Sequence, residues 1–224
     1  MIQMFMFFTF LLFHPLDNGP FIEIDLSKIN PLISRNNVIV SPINGKVEEL
    51  IFKNNKFTIK ISNDDIEIII PDLHKVYKDI GDNINIGDEI GEDNNITLFT
   101  KFAIIQYNNA TEFPQFYNNK LRFYNNVTGT PIYSMRAGFV SLAQFEHERG
   151  FFYEITNIED PKLISQIQYW HMLSLSMLRL NDKVSNNMII GFIGNTGLSI
   201  EPHLTVFFAN SYYDFKAIYI KNKI

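Results

Sequence analysis

The feature that most constrains the fold of this 224-residue chain is a series of short runs in which apolar and polar residues alternate. Such runs, rich in β-branched and aromatic residues, are typical of β-strands. The clearest are "VIVSPINGKVEELIF", "KFTIKI", "DIEIIIP", "GFVSLAQFE", "FFYEIT" and "LTVFFAN". Asn-Gly, Asn-Asn, Gly-Asp and Thr-Gly pairs separate them, as in tight turns. The pattern predicts an all-β chain with hairpin connections, and the best helical candidate is a short piece at residues 160–165.

The chain also contains an internal repeat. "VIVSPINGKV" (38–47) aligns with "PIYSMRAGFV" (131–140), and "GDNINIGDEIG" (81–91) aligns with "NDKVSNNMIIG" (181–191). The aligned pairs are Ser41 with Ser134, Gly45 with Gly138, Val47 with Val140, Asp82 with Asp182, and Gly91 with Gly191. The repeat predicts two related β-units, a smaller one at 25–105 and a second at 115–224. The segment 106–126 between them is polar with embedded aromatic residues, so we expect it to pack on the surface of a domain.

Composition excludes several classes of function. The formal net charge is -5, and no basic stripe is visible, which argues against a nucleic acid as a partner. The chain contains no cysteine. A disulfide framework, a thiol nucleophile and a cysteine-based zinc site are therefore excluded.

The N-terminal segment is strongly apolar from residue 1 to residue 13. It is too short to span a bilayer as a helix, although its length suits the apolar region of a signal peptide. No Lys or Arg precedes it, and no small-residue cleavage site follows. We interpret residues 1–20 as a possible signal peptide or apolar segment, and expect membrane contact only there.

The second half of the chain carries a recognisable series of motifs. These are "GTPIYSMRAGFV" (129–140) and "YWHMLSLSMLRLNDKVSNNMIIGFIGNTGLSIEPHL" (169–204), in this order. Over residues 119–210 the chain resembles the lysostaphin/LytM-type zinc peptidases of family M23. The resemblance implies an antiparallel β-sheet domain, similar to a barrel-sandwich hybrid, with a groove. It also implies a location in the cell envelope, periplasmic or exported.

Active members of the family use zinc to polarise an amide of bacterial cell-wall peptide and to activate water. Matched to the family's motifs, His171 and His203 occupy the positions of the two histidines that flank the water. Thr205 stands where the third zinc ligand is expected. The upstream ligand positions fall on about Asn119 and Phe123, and the whole chain contains no His-x-x-x-Asp sequence.

A catalytic zinc site needs three protein ligands, and neither Phe nor a neutral Thr or Asn replaces imidazole or carboxylate well. The sequence therefore predicts no metal ligands and no cofactor. Our leading hypothesis is a non-catalytic M23 peptidase-like protein that binds cell-wall peptide or regulates a cell-wall hydrolase. The residues expected in its binding groove, beside His171 and His203, are Tyr169, Thr205, Asn195 and Thr196.

Two other functions remain open. The first is an active zinc endopeptidase of peptidoglycan with unconventional ligands, for instance His171 and His203. The second is a membrane-fusion-adaptor or lipoyl-like hairpin domain, for which Lys183 is the candidate modified lysine. His171 and His203 would also be explained as ordinary histidines kept for a hydrogen bond.

Further residues have simpler interpretations. We expect His147 and Glu148 at a solvated hairpin tip and His74 in a loop, whereas His14 has no partner visible in the sequence. Gly191, Gly194 and Gly197 are expected to supply positive φ in tight turns. Side chains are expected to accept or donate hydrogen bonds within turns at Thr196, Ser199, Asp82 and Asp182.

Overall fold

The protein is described from a computed structural model. The structure describes residues 9–13, 15–16, 37–94, 100–106, 115–117, 119–124, 126–157, 166–209 and 214–222. The helical piece predicted at 160–165, His14 and most of the segment 1–20 lie outside these residues. Among the described residues, no helix is long and apolar enough to cross a membrane.

The described part of the chain consists of β-strands joined by turns and loops, with no α-helix. In chain order the strands are β1 (Thr9–Phe13), β2 (Val38–Val40), β3 (Gly45–Lys53), β4 (Lys56–Ser62), β5 (Ile66–Leu73), β6 (Lys75–Val76), β7 (Asn83–Ile84), β8 (Glu89–Glu92), β9 (Thr100–Gln106), β10 (Gln115–Tyr117), β11 (Lys120–Phe123), β12 (Pro131–Tyr133), β13 (Gly138–Glu146), β14 (Gly150–Thr156), β15 (Gln166–Met172), β16 (Lys183–Val184), β17 (Ile189–Phe192), β18 (Leu204–Ala209) and β19 (Asp214–Asn222). The all-β class and the antiparallel pairing predicted from the sequence are confirmed.

The chain divides into two compact units. The first comprises Met1–Leu11, Pro20–Gln106 and Phe215–Ile224, and the second comprises Leu12–Gly19 and Tyr107–Asp214. The sequence predicts that the C-terminal residues belong to the second unit. This prediction is wrong, because residues 215–224 belong to the first. Their strand, β19, pairs antiparallel with β5, with Tyr219 opposite Ile69, and so completes the sheet of the first unit.

Each unit is built on a seven-stranded sheet, and the two sheets have corresponding strand orders. The first runs β1-β9-β19-β5-β4-β3-β7, and the second runs β10-β11-β18-β15-β14-β13-β16. Each long hairpin has one irregularity in its register, after Val47 in β3 and after Val140 in β13. A small extra pairing accompanies each sheet, β2 with β8 in the first unit and β12 with β17 in the second.

Hydrogen bonds repeat between the units as the aligned sequences do. The Ser41 N–H donates to the Asp88 carbonyl at 2.8 Å, and the Ser134 N–H donates to the Met188 carbonyl at 2.8 Å. Both serines are fully buried, and each side chain donates to the carbonyl two residues later, at 2.7 and 2.6 Å. The smaller related β-unit predicted from the sequence is therefore present as a structural repeat.

The turns that precede β7 and β16 are closed by aspartates. The Asp82 carboxylate accepts from the Asp79 N–H at 2.9 Å, and the Asp182 carboxylate accepts from the Arg179 N–H at 2.8 Å. This confirms the structural role predicted for both aspartates.

Each unit has its own apolar core. In the first, the buried cluster consists mainly of isoleucines from β2, β4, β5, β7 and β8, joined by Val47, Leu73 and Ile220. In the second, large aromatic side chains fill the core, since Phe152, Tyr153, Tyr169 and Phe208 are fully buried. This core holds β15 and β18 side by side, and the candidate site is built on the ends of these two strands.

Candidate functional site

The two histidines singled out in the sequence lie together. His171 is near the end of β15, and His203 immediately precedes β18. These strands are antiparallel neighbours, with Trp170 opposite Thr205. The imidazole rings are 4.4 Å apart between centroids and are tilted by 44°. We call this pair the histidine pair.

His171 is held by a loop that follows β17. Its backbone has a positive φ of 65°, which is uncommon for a residue other than glycine. Its Nδ1 lies 2.9 Å from the carbonyl oxygen of Thr196. A carbonyl can only accept, so Nδ1 carries the proton, and Nε2 of the neutral ring has a free lone pair.

The Thr196 side chain holds this loop through two hydrogen bonds to the backbone of neighbouring segments. Its hydroxyl donates to the Met172 carbonyl at 2.9 Å and accepts from the Phe151 N–H at 3.0 Å. The predicted side-chain hydrogen bonding of Thr196 is confirmed. Its side chain therefore positions His171 through the loop, and both of its hydroxyl partners belong to the protein backbone.

His203 is held in a similar way. Its Nδ1 lies 2.9 Å from the Glu201 carbonyl oxygen and 3.0 Å from the Ser199 hydroxyl. The carbonyl again requires a proton on Nδ1, so Nε2 is the acceptor when this ring is neutral. The Tyr124 ring stacks on the His203 ring, with centroids 5.9 Å apart and planes 21° apart. The Asn195 amide, oriented so that both of its ends are satisfied, donates to the Ser199 hydroxyl at 2.7 Å.

The charge state of His171 follows from its surroundings. Burial lowers its pKa to about 4, against the ordinary value of 6.5. The hydrogen bond to Thr196 acts in the opposite direction, and the neighbouring His203, Arg122 and Lys120 lower the pKa further. His171 is therefore neutral near pH 7, with a bare Nε2 beside a second imidazole.

The positions that the resemblance matches to zinc ligands are Thr205 in β18, Phe123 in β11 and Asn119 just before β11. Thr205 is fully buried, and its hydroxyl has no hydrogen-bond partner within the described residues. Phe123 is buried at the end of β11, and Asn119 precedes β11 with a positive φ of 59°. In the part of the chain that the structure describes, no group of three or more His, Cys, Asp or Glu side chains converges.

Cations stand on the same face of the sheet as Thr205. Arg122 is directly opposite Thr205 in the register of β11 and β18, so the two side chains share a face. Arg122 is exposed, and its charge reaches His171. Lys120, two residues earlier on the same face, lies 4.6 Å from the centre of the Trp170 ring.

Two cationic side chains contact the Trp170 ring, those of Lys120 and Arg149. The Arg149 guanidinium is 5.2 Å from the ring centre, and the Trp170 Nε1–H donates to the Gln168 side chain at 2.9 Å. Lys120 makes only a long contact with the exposed Glu148 carboxylate, at 3.9 Å. Arg149 also pairs with the Glu146 carboxylate at 3.2 Å, so Lys120 and Arg122 are the two lysine or arginine side chains whose charge acts on His171.

Two predictions about this region are wrong. Tyr169 does not line a groove, because it is fully buried in the core and its hydroxyl accepts from the Met135 N–H at 2.8 Å. Of the three glycines, only Gly197 has a positive φ, 77°. Gly194 is required by close packing, since a Cβ there would lie 2.7 Å from the Leu173 backbone, and Gly191 is packed against the Met172 side chain.

The remaining candidates do not belong to the histidine pair, although the Glu148 carbonyl accepts from the Leu198 N–H of the neighbouring loop at 3.2 Å. His147 and Glu148 are exposed in the turn between β13 and β14, which confirms the predicted hairpin tip. His74 lies between β5 and β6, with Nδ1 3.4 Å from the buried Asp93 carboxylate. Lys183 begins β16, where it is opposite Phe139.

Sequence reasoning missed Arg122, Lys120, Trp170 and Tyr124. The alternation Lys-x-Arg, at positions 120 and 122, was the available signal. This signal is weak, because the polar composition of residues 106–126 predicts a spacer there. The motifs also align the upstream zinc-ligand positions with this segment only approximately.

A family model matches the second unit of the chain. Residues 120–214 match the model described as peptidase family M23. The resemblance predicted from the sequence is thereby confirmed, and the match begins at Lys120 and includes both histidines. No curated protein matches the chain.

Several solved structures resemble part of the chain at low identity. A putative M23 peptidase from Pseudomonas aeruginosa is 19% identical over 46% of this chain and 44% of that one, with a TM-score of 0.39. The catalytic domain of the prophage-encoded M23 protein EnpA from Enterococcus faecalis, in a mutant form, is 24% identical over 45% and 74%, with a TM-score of 0.35. A zinc-containing peptidase from Vibrio cholerae is 16% identical over 68% and 45%, with a TM-score of 0.35. The chain spans less than half the length of the first and third of these structures.

Proposed function

We propose that this protein is a non-catalytic M23 peptidase-like protein of the bacterial cell envelope. In this proposal it binds cell-wall peptide at the histidine pair, or regulates a partner cell-wall hydrolase through the same surface. The observation that carries the proposal is the histidine pair itself, with its rings 4.4 Å apart and each Nδ1 fixed by a backbone carbonyl. An apolar N-terminal segment is consistent with export or membrane attachment.

The residues at the ligand positions do not fit zinc. A phenyl ring has no lone pair, and a neutral hydroxyl or amide is a weak ligand beside imidazole or carboxylate. Thr205 offers only a hydroxyl, and the guanidinium of Arg122 on the same face would repel a divalent cation. Two imidazoles remain, fewer than the three protein ligands of a catalytic zinc site.

The same site retains what peptide binding requires. In the neutral rings both Nε2 atoms are acceptors, so they suit the N–H groups of a peptide backbone. The loop that leads to His203 carries two exposed apolar side chains, Leu198 and Ile200, which are 63% and 101% exposed. Exposed apolar groups beside fixed polar groups are typical of a peptide-binding surface.

A sedimentation assay with purified bacterial cell wall tests the proposal. We expect the protein to bind cell wall without releasing soluble fragments. Replacing both histidines, His171→Ala with His203→Ala, should abolish sedimentation, whereas His147→Ala at the exposed hairpin tip should leave it unchanged. Equal sedimentation of all three proteins would contradict the proposed site, and release of fragments would contradict the non-catalytic assignment.

The second candidate function is an active zinc endopeptidase in which His171 and His203 are themselves ligands. It is favoured by the two neighbouring imidazole rings, whose centroids are 4.4 Å apart and whose Nδ1 atoms are both held by backbone carbonyls. In that case cell-wall digestion should appear when zinc is added, and both single variants, His171→Ala and His203→Ala, should remove it. Absence of digestion at any zinc concentration excludes this function.

A further inference from the structure

We infer that the face carrying Arg122 and Thr205 binds the carboxylate of a peptide, in particular its C-terminal carboxylate. The site lies at the position where active M23 peptidases hold their third zinc ligand. The inference rests on the proposed function, because it names the chemical group that a bound peptide presents to the site.

Arg122 supplies the first part of the argument. It is exposed and directly opposite Thr205, and its side chain makes no ion pair or hydrogen bond among the described residues. A guanidinium has five donors in a planar fork that matches a carboxylate. Lys120 adds a second positive charge on the same face, where Trp170 holds its ammonium group.

Thr205 supplies the second, independent part. Its side chain is completely buried, and its hydroxyl is without a partner in the described structure. A buried hydroxyl that lacks a hydrogen bond is destabilising, and it is rare in folded proteins. Because Thr205 shares a face with Arg122, a ligand atom that accepts from both would satisfy the hydroxyl.

The histidine pair explains why a C-terminus fits better than an acidic side chain. A C-terminal residue presents a carboxylate and an amide N–H on either side of one Cα atom. The site offers donors to the carboxylate at Arg122 and Thr205, and acceptors to the N–H at the Nε2 atoms of His171 and His203. An acidic side chain separates its carboxylate from the backbone N–H by additional rotatable bonds.

Calorimetric titration with three short peptides tests the inference. The peptides are tri-alanine with a free C-terminus, tri-alanine amide, and an Ala-Glu-Ala amide. We expect the free acid to bind at least about tenfold more tightly than tri-alanine amide, since hydrogen bonds to a charged group are strong. Raising the salt concentration should reduce this preference, because the guanidinium is exposed.

Two variants assign the preference to the site. Arg122→Gln should bind the acid and the amide equally, whereas Arg179→Gln, at an exposed turn of the same unit, should keep the preference. Thr205→Val should reduce the preference without lowering the free energy of unfolding, because the buried hydroxyl has no partner to lose.

The outcomes separate this inference from the proposed function. If the acid and the amide bind equally to the unmodified protein, the carboxylate site is wrong while peptide binding stands. If neither binds, both are wrong. If the Ala-Glu-Ala amide binds as tightly as the free acid, recognition of the C-terminus is wrong. A preference that survives Arg122→Gln also contradicts the inference.

Discussion

The two units share a scaffold, and they differ in what stands at one position of it. His171 in the second unit corresponds to Asp72 in the first, and both have a φ of 65°. Each is followed by a residue opposite a phenylalanine of the preceding strand, Met172 opposite Phe151 and Leu73 opposite Phe57. The positive φ at this position is therefore common to both units, whereas the imidazole side chain occurs there only in the second unit.

The second difference is the loop between β17 and β18. It carries Thr196, Ser199 and His203, and it supplies the hydrogen bonds that hold both imidazoles. In the first unit, the strand that occupies the place of β18 is β19, which comes from the far end of the chain. In the second unit, therefore, the sheet places His171 at the site, and the loop between β17 and β18 supplies the hydrogen bonds that hold it.

The largest expected effect comes from equivalent glycines of the two units. A Cβ at Gly45 would collide with the Ser62 carbonyl, and one at Gly138 would collide with the Thr156 carbonyl. We expect Gly45→Ala and Gly138→Ala each to lower the free energy of unfolding by about 3 kcal/mol, because neither backbone can move away. Urea denaturation measures this.

Gly129→Ala is the control for the glycine pair. Gly129 has a positive φ of 89° and open space around it, so only backbone strain of about 1 kcal/mol is expected. Tolerance of alanine at Gly45 but not at Gly138 would show that the units are not equivalent in packing.

The next effect is a pH dependence of the free energy of unfolding, which we expect from His171 in the second unit. The folded pKa of His171 is about 4, below the unfolded value near 6.5. As the pH falls, the unfolded chain takes up this proton first, so the contribution of neutral His171 is complete above pH 6.5 and is lost towards pH 4. The loss is at most about 3 kcal/mol.

Denaturation midpoints of the unmodified protein and of His171→Gln, measured between pH 7.5 and pH 5, test this expectation. The difference in stability between the two proteins should shift in favour of His171→Gln as the pH falls. The exposed His147→Gln should not change the pH dependence. A pH dependence identical in all three proteins would contradict the neutral, buried state of His171.

A smaller effect is expected at the loop. Thr196→Val removes the hydroxyl that bonds both the Met172 carbonyl and the Phe151 N–H. We expect a loss of about 2 kcal/mol in the free energy of unfolding and a change in the NMR signals of the His171 ring. Thr128→Val, at an exposed position, is the control. Unchanged ring signals in Thr196→Val would mean that the loop does not position His171.

The smallest expected effect is the loss of stability on replacing the equivalent buried serines of the two units, Ser41 and Ser134. Ser41→Ala and Ser134→Ala each remove one buried hydrogen bond to a carbonyl two residues later. The expected loss is about 1 kcal/mol for each variant, because the interactions are equivalent. The exposed Ser185→Ala should cost nothing measurable. A clear difference between Ser41→Ala and Ser134→Ala would weaken the correspondence between the units.

Much of the scaffold was predictable from local sequence. Period-two runs and turn pairs identify the hairpins, and the aligned serines and aspartates identify the repeat, since their hydrogen bonds are made within a few residues. The pairing of β19 with β5 was not predictable, because nothing local in residues 214–222 specifies a partner so distant in the chain.

The site was predictable only in part. His171 and His203 followed from the motifs, and their contact follows from the pairing of β15 with β18. The burial of Tyr169 and the exposure of Arg122 depend on which face of each strand meets the core. A one-residue change in register reverses that choice, so it requires the assembled sheet.

The central claim is that the second unit, which is similar to M23 peptidases, binds peptide without zinc. Equilibrium dialysis against zinc tests it most directly. The unmodified protein should retain no more zinc than its His171→Ala, His203→Ala variant. A variant that restores the family's ligands, Asn119→His with Phe123→Asp and Thr205→His, should gain zinc if its circular dichroism spectrum shows that it folds. Stoichiometric zinc on the unmodified protein, lost on replacing the histidine pair, would contradict the account.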